Sequence, residues 1–129
     1  MDVKKPLIYI SHPYGANKDN LLEIEEIVRT LYKNDDMYDN FCFVSPVHCY
    51  QFLYTEYESN YYKGLSFCTD LLKSCQLMLL FGDWESSKGC VVEKKMCDEL
   101  NIPYIEIRTF EQFKELLQQS LLKDMLERL

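Results

Sequence analysis

A chain of 129 residues, 47% hydrophobic and 27% charged, has the length and composition of one folded domain with a proper core. Residues 1–129 are therefore expected to form a single domain. The net charge of -7 excludes a duplex nucleic-acid binder, which needs clustered Lys and Arg, but not a local site for a small anion. No apolar run approaches the length of a membrane span, and Met-Asp-Val-Lys-Lys-Pro lacks an apolar signal core, so the expected location is cytoplasmic.

Along the chain, strand and helix patterns alternate. Leu7 to Ser11 is an apolar, β-rich run that ends in the turn-like His12-Pro13-Tyr14-Gly15. Asn17 to about Lys33 carries Leu21, Ile24, Ile27, Val28 and Leu31 at helical spacing. Asn34 to Asn40 is a polar turn, and Phe41 to Val47 a second strand broken by Pro46. His48 to Tyr62 is aromatic-rich and fits either helix or loop. Its tyrosines (Tyr50, Tyr54, Tyr57, Tyr61, Tyr62) are expected to pack in the core or an interface. Leu65 to Cys75 fits a helix and Leu77 to Phe81 a buried third strand. Gly89 to Leu100 is a helix, Pro103 to Ile107 a fourth strand, and Phe110 to about Leu129 a Leu-rich helix. Phe113, Leu116, Leu117, Leu121, Met125 and Leu129 give that last helix a broad apolar face, for its own sheet or for a second copy of the chain.

This order predicts an α/β fold: a single Rossmann-like, flavodoxin-like three-layer sandwich with a mainly parallel sheet. Ligands in such sheets bind outside the carboxyl ends of the strands. Three loops then converge on one edge: Ser11 to Asn17, Ser45 to Tyr50 and Gly82 to Gly89. The chain has neither G-x-G-x-x-G nor a Walker A loop, which disfavours nicotinamide dinucleotides and ATP-type phosphate cradles. The six cysteines form no C-x-x-C pair and the two histidines no H-x-x-x-H element, so no metal or other cofactor is expected and the cysteines read as reduced packing residues.

The main anomaly is Glu93. On a helical wheel, Val92, Met96, Cys97 and Leu100 define one apolar arc, and Glu93 falls inside it. Buried charge is expensive, so this carboxylate is either satisfied structurally or serves as a nucleophile or general base in a cleft. The positive end of the helix dipole favours its ionised form. Ser86, Ser87 and Gly89, just before it, fit helix capping and an anion site equally well. Tyr14 and His12 follow the first strand; His48 and Tyr50 follow the second. Each histidine reads as a structural hydrogen-bonder or a site residue. Asp70 lies on the helix before the third strand, and Asp83 and Glu85 in the loop after it. Trp84 either packs on the core or stacks on a base.

Two segments carry a resemblance. Tyr-Ile-Ser-His-Pro-Tyr-Gly (9–15) and Gly-Asp-Trp-Glu-Ser-Ser-Lys-Gly-Cys-Val-Val-Glu (82–93) resemble the nucleoside 2-deoxyribosyltransferase-like superfamily, near its small bacterial and phage members. The resemblance runs from about Leu7 to Ile107. Its most specific element is S-x-G-x-x-x-E, matched by Ser87, Gly89 and Glu93. It implies that Glu93 attacks the anomeric carbon of a nucleoside or nucleotide sugar, with a second base or water as acceptor. It also implies that Ser87, where the nucleoside transferases tend to carry an aspartate, holds a 5′-phosphate with Gly89, as in nucleoside-monophosphate hydrolases. Tyr14 is the implied contact from the first loop, and His12 and Trp84 are further substrate-binding candidates. Relatives in this superfamily commonly form homo-oligomers, dimers or larger. Two positions depart from the pattern. An assisting aspartate is often found near Cys68; Asp70 would replace it only if the helix register shifted. Gln76 stands where an aspartate often precedes the strand. The expected function is cleavage or transfer at the N-glycosidic bond of a (deoxy)nucleoside or its 5′-monophosphate. The alternative is a nucleotide-binding sensor of the same fold without turnover, which the Cys68 departure favours. A weaker third is a structural partner protein acting through its C-terminal helix.

Overall fold

The computed structural model describes residues 4–15, 17–50 and 60–128, with the side chains of residues 60–62 outside that description. Four strands form one parallel sheet: β1 (Leu7–Ser11), β2 (Cys42–Val44), β3 (Leu77–Phe81) and β4 (Tyr104–Ile107). Their order is β2-β1-β3-β4, with Ile8 opposite Phe43, Tyr9 opposite Met78 and Phe81 opposite Ile107. The expected α/β, flavodoxin-like sandwich is therefore the fold observed. β3 is buried along its whole length, as a central strand covered on both faces must be. β1 lies next to it, and chain order reverses between the two, which creates a topological switch point at their carboxyl ends.

Helices cover both faces. On one, Ile27 and Leu31 of α1 (Lys18–Lys33), Phe113 of α5 (Phe110–Gln118) and Leu122 and Leu126 of α6 (Leu121–Glu127) pack with Ile8, Ile10, Leu79 and Ile107. On the other, Cys68 and Leu72 of α3 (Asn60–Lys73) and Cys90 and Cys97 of α4 (Lys88–Leu100) pack with Tyr9, Met78 and Leu80. The split follows strand alternation, since successive side chains of β1 and β3 point to opposite faces.

Several segments differ from the sequence expectation. Asn34 to Asn40 is not a turn: Asp35–Asn40 forms α2, because the Asn34 side chain accepts from the Met37 N–H at 3.1 Å and Met37 is buried. The second strand ends at Val44, and Pro46 opens a helical segment over 46–50 instead of merely breaking a strand. α3 starts five residues before Leu65 and ends at Lys73. The C-terminal helix is two helices, parted by Ser120 in the left-handed conformation (φ 57°). Phe113, Leu122 and Leu126 bury against the sheet, whereas Leu121 and Met125 stay exposed. Tyr54 and Tyr57 lie outside the described residues, as do the side chains of Tyr61 and Tyr62. Tyr50 packs beside the second face, its ring stacked on Phe67 at 5.3 Å. No helix is long and apolar enough to cross a membrane among the described residues.

Candidate functional site

At the switch point the loops after β1, β2 and β3 enclose a cleft of about 700 Å³. Ser11 to Gly15, Asn17 and Asn20 form one wall, and Ser86 to Cys90 with Glu93 another. Pro46, Val47, Leu65 and Cys68 supply apolar lining. These are the three loops expected to meet there.

Glu93 lies in this cleft and is buried at 6% exposure. The buried arc of α4 is Cys90, Glu93 and Cys97, a spacing of three and four residues that stacks them on one face. Two members of the expected arc are misplaced: Val92 and Leu100 are exposed. Helix α4 meets the sheet along a line one residue away from its most hydrophobic stripe, and that line contains the acid.

The sequence reading missed what holds Glu93. Tyr9 and Ser11 lie two apart on β1, so both face α4. The Tyr9 hydroxyl donates to Oε2, and the Ser11 hydroxyl donates to Oε1 at 2.9 Å. Both partners are essentially fully buried. Two hydroxyls alternating along an otherwise aliphatic strand were the available signal. Burial pushes the Glu93 carboxyl up to about 7, and the two hydroxyls pull it the other way. Burial and the nearby Glu93 charge together raise Tyr9 well above the ordinary phenol range, which keeps it a donor. Burial, with the Glu93 charge behind it, raises the Cys90 thiol to about 11. Glu93 therefore changes charge near neutrality while the thiol and phenol beside it stay protonated.

Six residues along α4 from Glu93, Ser87 caps the helix: its Oγ accepts from the Cys90 N–H at 3.3 Å. Helix geometry leaves the amides of Lys88 and Gly89 without intrahelical acceptors. A Cβ built on Gly89 would meet Leu65 Cδ1 at 3.9 Å and Ser87 Oγ at 4.0 Å, both ordinary contacts. The protein's own packing therefore does not require glycine there, although glycine weakens a helix. Lys88 also lines the cleft, and among the described lining residues Glu93 is the sole carboxylate.

The remaining candidates divide. Tyr14 lines the cleft, and its carbonyl accepts from the Asn17 N–H and from Asn20 Nδ2. His12 lines it too, but its ring is engaged elsewhere: Nδ1 lies 2.7 Å from the Pro13 carbonyl and Nε2 3.1 Å from Glu23 Oε2. His48 faces Ser45 Oγ at 2.7 Å and Glu25 at 3.7 Å, away from the cleft lining. Asp70 is a correction. It is exposed on α3 and pairs with Lys73 at 3.7 Å, while Cys68, half a turn earlier, lines the cleft. The register shift that Asp70 would need does not occur. Trp84 takes the core-packing place of the two weighed. It belongs to a short 3-10 turn, Trp84–Ser86, and packs on the second core face instead of lining the cleft. Lys94 Nζ and Arg108 Cζ lie 5.6 and 5.7 Å from its ring centroid, and Arg108 grips Glu85 with two hydrogen bonds of 2.5 and 2.7 Å. Among the described residues no group of three or more His, Cys, Asp or Glu could hold a metal ion.

A parallel sheet ordered 2-1-3-4 with a cleft at its switch point defines the class: a Rossmann-like α/β domain. The fold is similar to that of a 2-deoxyribosyltransferase from Leishmania mexicana, with a TM-score of 0.54 and 19% sequence identity over 81% of this chain. The matched region spans 65% of the length of that protein. At that identity the likeness shows the fold alone. By sequence, residues 6–107 match the model of a domain of unknown function, DUF7768, and the chain belongs to that family. No curated protein matches it by sequence.

Proposed function

We propose that this chain cleaves or transfers at the N-glycosidic bond of a (deoxy)nucleoside 5′-monophosphate or nucleoside, with Glu93 as nucleophile. The observation that carries this reading is a buried carboxylate, held at both oxygens by hydroxyls, in a switch-point cleft. Its hydrogen-bond partners among the described residues are the two hydroxyls, and no ion pair to Glu93 is found among them. The spacing supports the substrate class. Ser87 and Glu93 are six residues apart on one helix, about 9 Å along its axis. A sugar ring fits between a phosphate at the helix N-terminus and an anomeric carbon at the carboxylate. Ser87 and Gly89 would contact the phosphate and Tyr14 the sugar. In the first step the Glu93 carboxylate bonds to the anomeric carbon as the bond to the base nitrogen breaks, and the base leaves with that electron pair. Water or a second base then displaces Glu93.

A second reading, a nucleotide-binding sensor without turnover, is favoured by Cys68. It lines the cleft at the position where the resemblance would place an assisting acid to help protonate the leaving base, and it lies beside Tyr9. Base release from a panel of deoxynucleoside monophosphates, with Glu93→Gln as control, separates the two. Turnover by the natural chain and none by the variant supports the glycosidase. Binding by both without turnover supports the sensor, and no binding by either refutes both.

A further inference from the structure

Glu93 has two oxygens and they are not equivalent. Oε2 accepts from Tyr9, which has no exposed surface and does not line the cleft. Oε1 accepts from Ser11, the last residue of β1, which does line it. Oε1 is therefore the oxygen bonded to a cleft-lining side chain. Ser11 Oγ also lies 3.4 Å from Cys90 Sγ, on the helix turn above Glu93. The Cys90 thiol keeps its proton at neutral pH, so a serine hydroxyl between thiol and carboxylate has one favourable direction for its own hydrogen, toward the carboxylate.

We propose that Ser11 is a positioning residue for Glu93, holding its oxygen Oε1 in place from a hydroxyl braced by Cys90. This rests on the glycosidic reading for its use, but not for its detection. Without Ser11 the carboxyl could rotate about its last torsion, which is soft and broad. Tyr9 alone fixes one oxygen and leaves the other to swing. With both hydroxyls in place the carboxylate plane is set. Ser11 keeps its proton throughout, so no charge moves through it.

The titratable groups around Glu93 among the described residues are Tyr9 of β1, with Cys68 of α3 behind it, and Cys90 and Cys97 of its own helix. None is a cation, and the three raised above their ordinary range by burial (Tyr9, Cys90 and Cys97) stay neutral across the neutral range. A shift in the Glu93 titration on changing Ser11 therefore reports the hydrogen bond itself.

The test is carbon-detected NMR titration of the Glu93 side-chain carboxyl in the full chain, which needs no substrate. The natural chain should titrate near 7. Ser11→Ala should move the midpoint up by about one unit, the worth of a hydrogen bond to an ionised group. Ser11→Thr, which keeps the hydroxyl, should return it to within about 0.3 unit. Ser11→Cys, close in volume but a weak donor, should shift it in the alanine direction and serves if the alanine variant does not fold. An unmoved midpoint in Ser11→Ala or Ser11→Cys overturns the proposal. So does a threonine variant displaced as far as alanine, since packing and not the hydroxyl would then be at work. Failure of base release with the expected titration would refute the glycosidic reading and leave the role of Ser11 intact.

Discussion

The two faces of the sheet are built from different chemistry. The first is aliphatic and aromatic: Ile8, Ile10, Leu79, Phe81, Ile107 and Phe113 with the helices α1, α5 and α6. The second holds all four buried cysteines, Cys68, Cys75, Cys90 and Cys97, with Tyr9 and Met78. Glu93 enters through that second face. Thiols are softer and smaller than the residues opposite, and they pack around a carboxyl without adding competing charge. Division of labour is the lesson. One face supplies hydrophobic stability, and the other accepts a stability cost to keep an acid dry beside a cleft.

The largest expected effect falls on the first face. Leu79 lies on the central strand with no exposed surface. Leu79→Ala should destabilise the fold by about 3–5 kcal/mol, the range for a cavity in a well-packed core. Chemical denaturation measures it. A loss below about 1 kcal/mol would mean that this face collapses around the gap and is not the rigid half of the molecule.

Glu93→Gln tests the other face, with the opposite sign. The folded carboxyl binds its proton more tightly than the unfolded one, since its midpoint is raised from 4.5 to about 7. Between those values the native state holds more protons, so its stability falls as pH rises and the loss is complete above about 7. The penalty at pH 8 is on the order of 3 kcal/mol, and at pH 5 about 1. Removing the ionisable group should therefore stabilise the fold, by more at pH 8 than at pH 5, and under the proposed glycosidic reading it should abolish base release. Equal melting shifts at both pH values, or a destabilised variant at pH 8, would make Glu93 a structural acid held by Tyr9 and Ser11 for the sake of the fold.

Much of this arrangement was legible in the chain. Leu77 to Phe81 is short and apolar enough for a buried strand, and the three loops after β1, β2 and β3 converge once the strands are parallel. Glu93 stood out because helical periodicity put a charge among apolar neighbours. What stayed hidden depended on partners distant in sequence. The Asn34 cap that turns a polar stretch into α2 needs Met37 to find the core. Tyr9 and Ser11 look like ordinary strand residues until α4 is laid across them, 84 and 82 residues later. Trp84 reads as either a core residue or a stacking platform until Lys94 and Arg108 are seen beside it.

The smallest effect sharpens the contrast at a single methyl group. Gly89 sits in the first turn of α4, where its own protein leaves ordinary space for a Cβ. Gly89→Ala should raise helix stability by about 0.5–1 kcal/mol, since glycine is the poorer helix former. If the amides there receive an anion, the added methyl stands in the approach and monophosphate affinity should fall by about tenfold, near 1.4 kcal/mol. Thermal melting and titration calorimetry read the two effects separately. A variant both more stable and equally good at binding would show that glycine serves no ligand at this turn, and the phosphate assignment to Ser87 and Gly89 would fall with it. A variant more stable and weaker in binding would give the second face the same signature at Gly89 as at Glu93: stability surrendered where the cleft requires it.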